Sequence, residues 1–201
     1  MAEPQLYNGI FSMRVKASLN VNPKRVERNN KEANVYASEG YLVERNLHPN
    51  GAFFAVIGNH HAHEIEVGRI MAENGLSFTL DREGTTIKLP NGKRYKIPTP
   101  DGHIEGHTHE IYAFRGNPDP RTVVEAIRHS RKAFRPDSRR NIQSEVAISL
   151  APKGSGYKAS HIASGVSEYK RQVRTGEATA KPRIYLHVDE TTRSVYYWSL
   201  K

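Results

Sequence analysis

Between residues 101 and 110 the chain sets Asp101, His103, Glu105, His107, His109 and Glu110 within one short run. Imidazoles exchange protons near neutral pH or ligate zinc, whereas paired carboxylates hold magnesium. On an extended strand the H-x-H spacing puts His107 and His109 on one face and Glu110 on the other. One imidazole can then take the proton of a ribose 2′-hydroxyl while another returns a proton to the leaving oxygen, which is RNA cleavage without a metal. Asp101 and Glu110 offer a different route. Two carboxylates converging at the ends of adjacent strands can hold Mg²⁺ for attack of water on a phosphodiester. Their structural alternatives are a turn residue after Pro100 and an ordinary charged strand position.

Three histidines also have the ligand types for zinc. A cupin-type site opens with Gly followed by H-x-H, as Gly106-His107-Thr108-His109 does. The later Glu and the second Gly-Pro-Gly-His element of that pattern are missing. His60, His61 and His63 open the first long helix, where a charged imidazole would oppose the helix dipole, so they read as neutral structural residues. Glu64 and Glu66 read as first-turn acids.

Cations follow. On a helix over about 120–135, Arg121, Arg128, Arg131, Lys132 and Arg135 share an arc of roughly 100°, while Val123, Ile127 and Phe134 cluster about 120° away. Such a helix can bury one stripe and offer the other to phosphates. Arg139, Arg140, Lys170 and Arg171 add to the same expected surface. On the last strand Ser194 and Tyr196 share a face beside Tyr197 and Trp198, a set able to hold a phosphate or stack a base.

These residues need elements to carry them. Phe11–Ser18 alternates like a short strand, and the Asn-rich stretch over 19–34 reads as a linker. Strands are expected at 41–45 and 52–57, and a helix at 61–74 capped by Asn59 and closed by Gly75. Strands follow at 76–80, 85–89 and 94–97, with Asn91-Gly92 as a hairpin turn. The second half of 100–114 is a strand, Asp119 caps the basic helix, and 144–150 is a strongly apolar strand. A helix at 161–174 and strands at 183–188 and 194–200 close the chain. The expected fold is α+β, a single mixed, mainly antiparallel sheet packed by two or three helices. Residues 1–50 read as an arm with short strands, and 51–201 as the nuclease-like domain.

The chain has 201 residues, net charge +9 and no cysteine. Disulfides, thiolate metal sites and a thiol nucleophile are therefore excluded. The charge favours a polyanionic partner. No apolar run approaches the ~18 residues of a membrane span, and no secretory signal opens the chain, so no membrane partner is expected.

From Glu64 onward the chain resembles the C-terminal toxin domains of contact-dependent growth inhibition proteins and other polymorphic toxins. The pattern is a helix ending in Ala72-Glu73-Asn74-Gly75, a strand, Pro100-Asp101-Gly102-His103-Ile104-Glu105-Gly106, and a strand bearing Glu110. A basic helix, the strand over 146–150, another helix and a final hairpin follow. Two nuclease superfamilies share this outline. The barnase–EndoU–colicin–RelE group implies a metal-independent RNase acting on tRNA or another structured RNA. It would use His107 or His109 as base, Arg128 and Arg131 on the phosphate, Ser194 or Tyr196 to hold it, and no cofactor. The PD-(D/E)xK group implies a metal-dependent DNase on Asp101 and Glu110, but Tyr112 stands where its lysine belongs. The resemblance also implies an acidic immunity protein as partner, action in the cytoplasm and delivery within a larger secreted toxin. A non-enzymatic nucleic-acid-binding protein of a phage or mobile element is the remaining expectation.

Overall fold

A computed structural model describes residues 15–17, 19, 24, 26, 27, 31, 42–48, 51–56, 60–81, 86–88, 92, 94–96, 100–130, 144–178 and 182–200. They form β1 (Leu42–His48), β2 (Gly51–Val56), α1 (Ala62–Glu73), β3 (Ser77–Leu80), β4 (Thr86–Lys88), β5 (Arg94–Lys96), β6 (Gly102–Ile104) and β7 (His107–Ala113). Then come α2 (Pro120–His129), β8 (Val146–Ala151), α3 (Ala159–Arg174), β9 (Ile184–Asp189) and β10 (Ser194–Ser199). One mixed sheet runs β1-β2-β3-β6-β7-β8-β9-β10, with β4 and β5 as a separate ribbon. The β2–β3, β7–β8 and β8–β9 joins are parallel, and the others in the large sheet are antiparallel. The fold is the expected α+β type.

Connections follow from pairing. Each parallel join needs a crossover, and α1, α2 and α3 supply them in turn. The antiparallel β6–β7 hairpin closes through Glu105 (φ 48°) and Gly106 (φ 80°), the two positive-φ positions of a tight primed turn. Glu105 pairs this uncommon backbone with a role: its Oε1 accepts the Ser77 amide at 2.7 Å. Burial raises the pKa of its carboxyl, with the Ser77 amide and Lys16 pulling the other way.

The two sheet faces are covered differently. Val67, Ile70 and Met71 of α1 pack with Phe53, Phe78, Leu80, Ile104, Ile111, Ile148 and Leu186. On the other face Val123 and Ile127 of α2 and Ile162, Val166 and Tyr169 of α3 pack with Phe114, Ala147, Tyr185 and Trp198. Every residue of β8 is buried, as expected of a strand covered on both faces. Each fully buried Ile or Leu side chain contributes about 1.5–3 kcal/mol.

Local chemistry sets the helix ends. The His61 amide donates to Glu64 Oε2 at 2.9 Å, so the start of α1 is closed there. The expected cap Asn59 lies outside the described residues. Asp119 Oδ1 accepts the Arg121 amide at 2.8 Å, and Pro120 follows it, as expected for the start of α2. That helix ends at His129 rather than at 135, and residues 131–143 lie outside the description.

The arm departs from its sequence reading. Residues 15–17, 19, 24, 26, 27 and 31 are helical, where a strand and a linker were expected. Val15 and Leu19 join the core on the α1 side, and their i, i+4 spacing is that of one helix face. The division at residue 50 falls between β1 and β2, which pair within one sheet.

Candidate functional site

The β6–β7 register decides which titratable groups meet. Gly102 pairs with His109, and a Cβ on Gly102 would stand 3.0 Å from His109 Nε2, so this pair faces α1. Glu110, one residue along, faces α2, and Asp101 stands just ahead of β6, next to the pair. The Asp101 amide donates to the His109 carbonyl at 3.1 Å. The amide of Ile111, bonded directly to Glu110, donates to Asp101 Oδ2 at 2.7 Å. The two acids therefore lie side by side.

Two histidines and a third acid flank them. Glu110 Oε2 lies 3.9 Å from Nε2 of His129, on the last turn of α2, with the Glu110 side chain 12% exposed. The Tyr112 ring meets the His129 ring edge-on at 5.4 Å between centroids. On the other side the Asp81 amide donates to the Asp101 carbonyl at 2.9 Å. Asp81 Oδ2 in turn lies 2.7 Å from His103 Nδ1, and Thr79 Oγ1 donates to its Oδ1 at 3.1 Å. Burial pushes the Asp81 pKa up, but the His103 and Thr79 bonds outweigh it and leave the carboxyl below its ordinary value. Asp81 just past β3, Asp101 just ahead of β6 and Glu110 within β7 thus follow one another across three neighbouring strands. Sequence reasoning missed Asp81 and His129. Thr79-Leu80-Asp81 at the end of an alternating strand was the available signal for the first, and the core-facing register of Ile127 for the second.

His109 does not belong to this row. Its ring is fully buried on the α1 side, stacked on Phe78 at 4.3 Å, and Nε2 donates to the Thr79 carbonyl at 3.0 Å. Burial drives its pKa down to about 3. Nδ1 has no hydrogen-bond partner among the described residues. The ring has no surface of its own in this arrangement, which leaves it no open path to a ribose hydroxyl. His107 shares that face, is 13% exposed and pairs through Nδ1 with the Glu145 carboxylate. His103 faces the other way, so the three imidazoles do not converge on a zinc ion.

The remaining expected residues are dispersed. Ser194 and Tyr196 sit on β10, three strands from β7, roughly 14 Å at ~4.8 Å per strand. Ser194 Oγ donates to the Thr192 carbonyl at 3.4 Å. Tyr196 packs near His187 and Trp198, and burial raises its pKa. His109 and Tyr196 occupy opposite sheet faces. His60 Nε2 lies 2.6 Å from the Val56 carbonyl, while His61 and His63 stack at 5.3 Å. Burial lowers the His63 pKa.

Among the cations, Arg121 and Arg128 are exposed on α2, and Arg128 Nη2 donates to Gln172 at 2.8 Å. Arg171 is committed to Glu168 and Glu177, at 2.8 and 2.9 Å, and its pKa rises accordingly. Arg131, Lys132, Arg135, Arg139 and Arg140 lie outside the described residues. A buried chain of hydroxyls and imidazole, Tyr185 to Ser149 to His187 Nδ1 (2.8 Å for the second bond), was not foreseen. Burial lowers the His187 pKa to about 4.

Among the described residues no group of three or more His, Asp or Glu is arranged to hold a metal ion, and no helix is long and apolar enough to cross a membrane. No protein-family model matches the chain, and no curated protein or solved structure is significantly similar to it.

Proposed function

We propose that this chain is a nuclease domain whose phosphodiester chemistry takes place at Asp101 and Glu110. The supporting observation is the Ile111 amide bond to Asp101 Oδ2, which holds one acid against the backbone directly next to the other. Mg²⁺ is commonly held by one or two carboxylates, with waters and substrate phosphate completing its shell. This donor set fits that ion and does not fit a closed zinc site. Bound there, the ion would supply an activated water and charge neutralisation on the phosphate.

The chain's own groups do the rest. The Ile111 amide fixes the Asp101 carboxylate, and His129 stands beside Glu110. Tyr112 occupies the position where the PD-(D/E)xK pattern has lysine. A phenol carries no positive charge, so phosphate neutralisation falls to Arg128 and to the cations that follow His129 in sequence. A toxin-type role, an acidic immunity partner and cytoplasmic action belong to the same proposal, supported by the resemblance of residues 64–201; tRNA or another structured RNA as target belongs with the metal-free reading that follows.

A second reading keeps the metal-free RNase on one observation. His107 is oriented by the Glu145 carboxylate, the arrangement of a general base. Substitution separates the two. With an oligonucleotide cleavage assay, Asp101→Asn and Glu110→Gln should each lower the rate by about 10²-fold or more while His107→Ala stays within about threefold. The reverse pattern would move the chemistry to His107.

A further inference from the structure

The chain leaves the large sheet at Asp81 and returns to it at Asp101, and the bond from the Asp81 amide to the Asp101 carbonyl closes that excursion at its foot. Between the two acids lies the antiparallel β4–β5 ribbon, with Thr86 opposite Lys96, Ile87 opposite Tyr95 and Lys88 opposite Arg94. It shares no strand pairing with the large sheet. Its six residues must therefore hold as a two-stranded hairpin, which is marginal in water. The Ile87–Tyr95 pair suits that arrangement, since β-branched and aromatic residues at opposite positions attract. The third pair does not. Lys88 and Arg94 set like charges at directly opposite positions, and Lys96 adds a third cation two residues along. No acid stands among the six.

Chain length ties this ribbon to the acids. Lys88 comes seven residues after Asp81, and Arg94 seven residues before Asp101. At no more than ~3.6 Å per residue, neither cation is further than about 25 Å from an acid. Along a stacked strand at ~3.4 Å per nucleotide, that is at most about seven nucleotides. A ribbon selected for stability alone would set an acid opposite one of its cations. A row of phosphates supplies the missing counter-charge and lifts the repulsion between the paired positions.

We infer that the β4–β5 ribbon grips the sugar–phosphate backbone of the nucleic acid cut at Asp101 and Glu110, with Lys88, Arg94 and Lys96 on phosphates to one side of the scissile bond. This rests on the nuclease reading and adds to it a contact that holds the strand in place. Phosphate contacts carry no sequence information, so the ribbon fixes position and affinity and leaves base preference to other parts of the molecule.

The test is binding, kept apart from cleavage. The chain carrying Asp101→Asn and Glu110→Gln, in EDTA, is titrated with a fluorescein-labelled single-stranded DNA oligonucleotide at several salt concentrations, with anisotropy as the readout. Adding Lys88→Gln, Arg94→Gln and Lys96→Gln should weaken binding at least about tenfold and flatten the slope of log K against log salt by roughly 2, three contacts at about 0.7 each. The same three changes at the exposed cations Lys153, Lys158 and Arg183 should alter the slope by less than about 0.5. The urea midpoint of the ribbon variant should stay level or rise, because a like-charge pair has been removed. An unchanged slope in the ribbon variant, an equal loss in the control variant, or no oligonucleotide binding by the parent chain would each overturn the inference. A midpoint that falls would show that these cations hold the ribbon itself, and would overturn it too. Poly-L-glutamate that displaces the probe as well as unlabelled oligonucleotide does would replace the nucleic acid by an acidic protein. Ribbon-dependent binding in a wild-type chain that never cleaves removes only the nuclease reading. Mg²⁺-controlled cleavage with an unchanged slope in the ribbon variant removes only the ribbon.

Discussion

At His109 one ring nitrogen donates to the Thr79 carbonyl and the other has no partner among the described residues, while Phe78 covers the ring. A neutral, packed imidazole is a stability element. His109→Ala should cost about 2–4 kcal/mol in chemical denaturation, as removal of a large buried side chain does, while cleavage per folded molecule stays unchanged. Loss of activity without loss of stability would return the ring to the mechanism. The pKa of His109, near 3, and of His187, near 4, set a pH dependence with a definite sign. Both rings stay neutral when folded and bind protons on unfolding below the ordinary ~6.5, so their contribution is full above that value and is lost as pH falls toward 4. Asp81, lowered, acts in the same direction, and Glu105, raised, opposes it. The urea midpoint should therefore drop between pH 7 and pH 4.5, and a flat or rising midpoint would contradict the burial described. The H-x-H spacing correctly set two rings on one face. It held no information on which face was covered, because that depends on α1 packing from distant sequence.

Elements with strong local signals were legible. The Asp119-Pro120 start of α2, the apolar run of β8 and the final hairpin lie where the sequence put them. Other features needed tertiary context. Arg171 reads as a free cation on a basic helix, yet Glu168 three residues earlier already marks it as paired. The N-terminal arm read as strand and linker because its few apolar residues fit either period, and burial of Val15 and Leu19 decided for helix. The α2–α3 contact turns on Gly165, where a Cβ would overlap Val123 and stand 2.5 Å from the Pro120 carbonyl. Gly165→Ala should cost about 1–3 kcal/mol in thermal or chemical unfolding, the usual range for overpacking. A neutral substitution would mean that the two helices pack less closely than described.

For the molecule as a whole, net charge of +9 is a statement about partners rather than fold. Some of it is already compensated internally, at Arg171 and Arg193. If Lys88, Arg94 and Lys96 contact phosphates, single-strand affinity should fall at least about tenfold between 50 and 200 mM salt, as three released counterions require. Salt-independent binding would contradict a backbone-contacting surface. Glu110 and the α2 and α3 cations share one sheet face because the three crossovers put α2 and α3 together on it and α1 on the other.

Cleavage under control of the divalent ion tests the central claim most directly. The wild-type chain is incubated with end-labelled RNA and DNA oligonucleotides, first in EDTA and then with Mg²⁺ restored. The account predicts no cleavage in EDTA, recovery with Mg²⁺, and no recovery in the Asp101→Asn, Glu110→Gln chain. Cleavage that persists in EDTA and leaves a 2′,3′-cyclic phosphate would contradict it, and would assign the reaction to His107 and Glu145 instead.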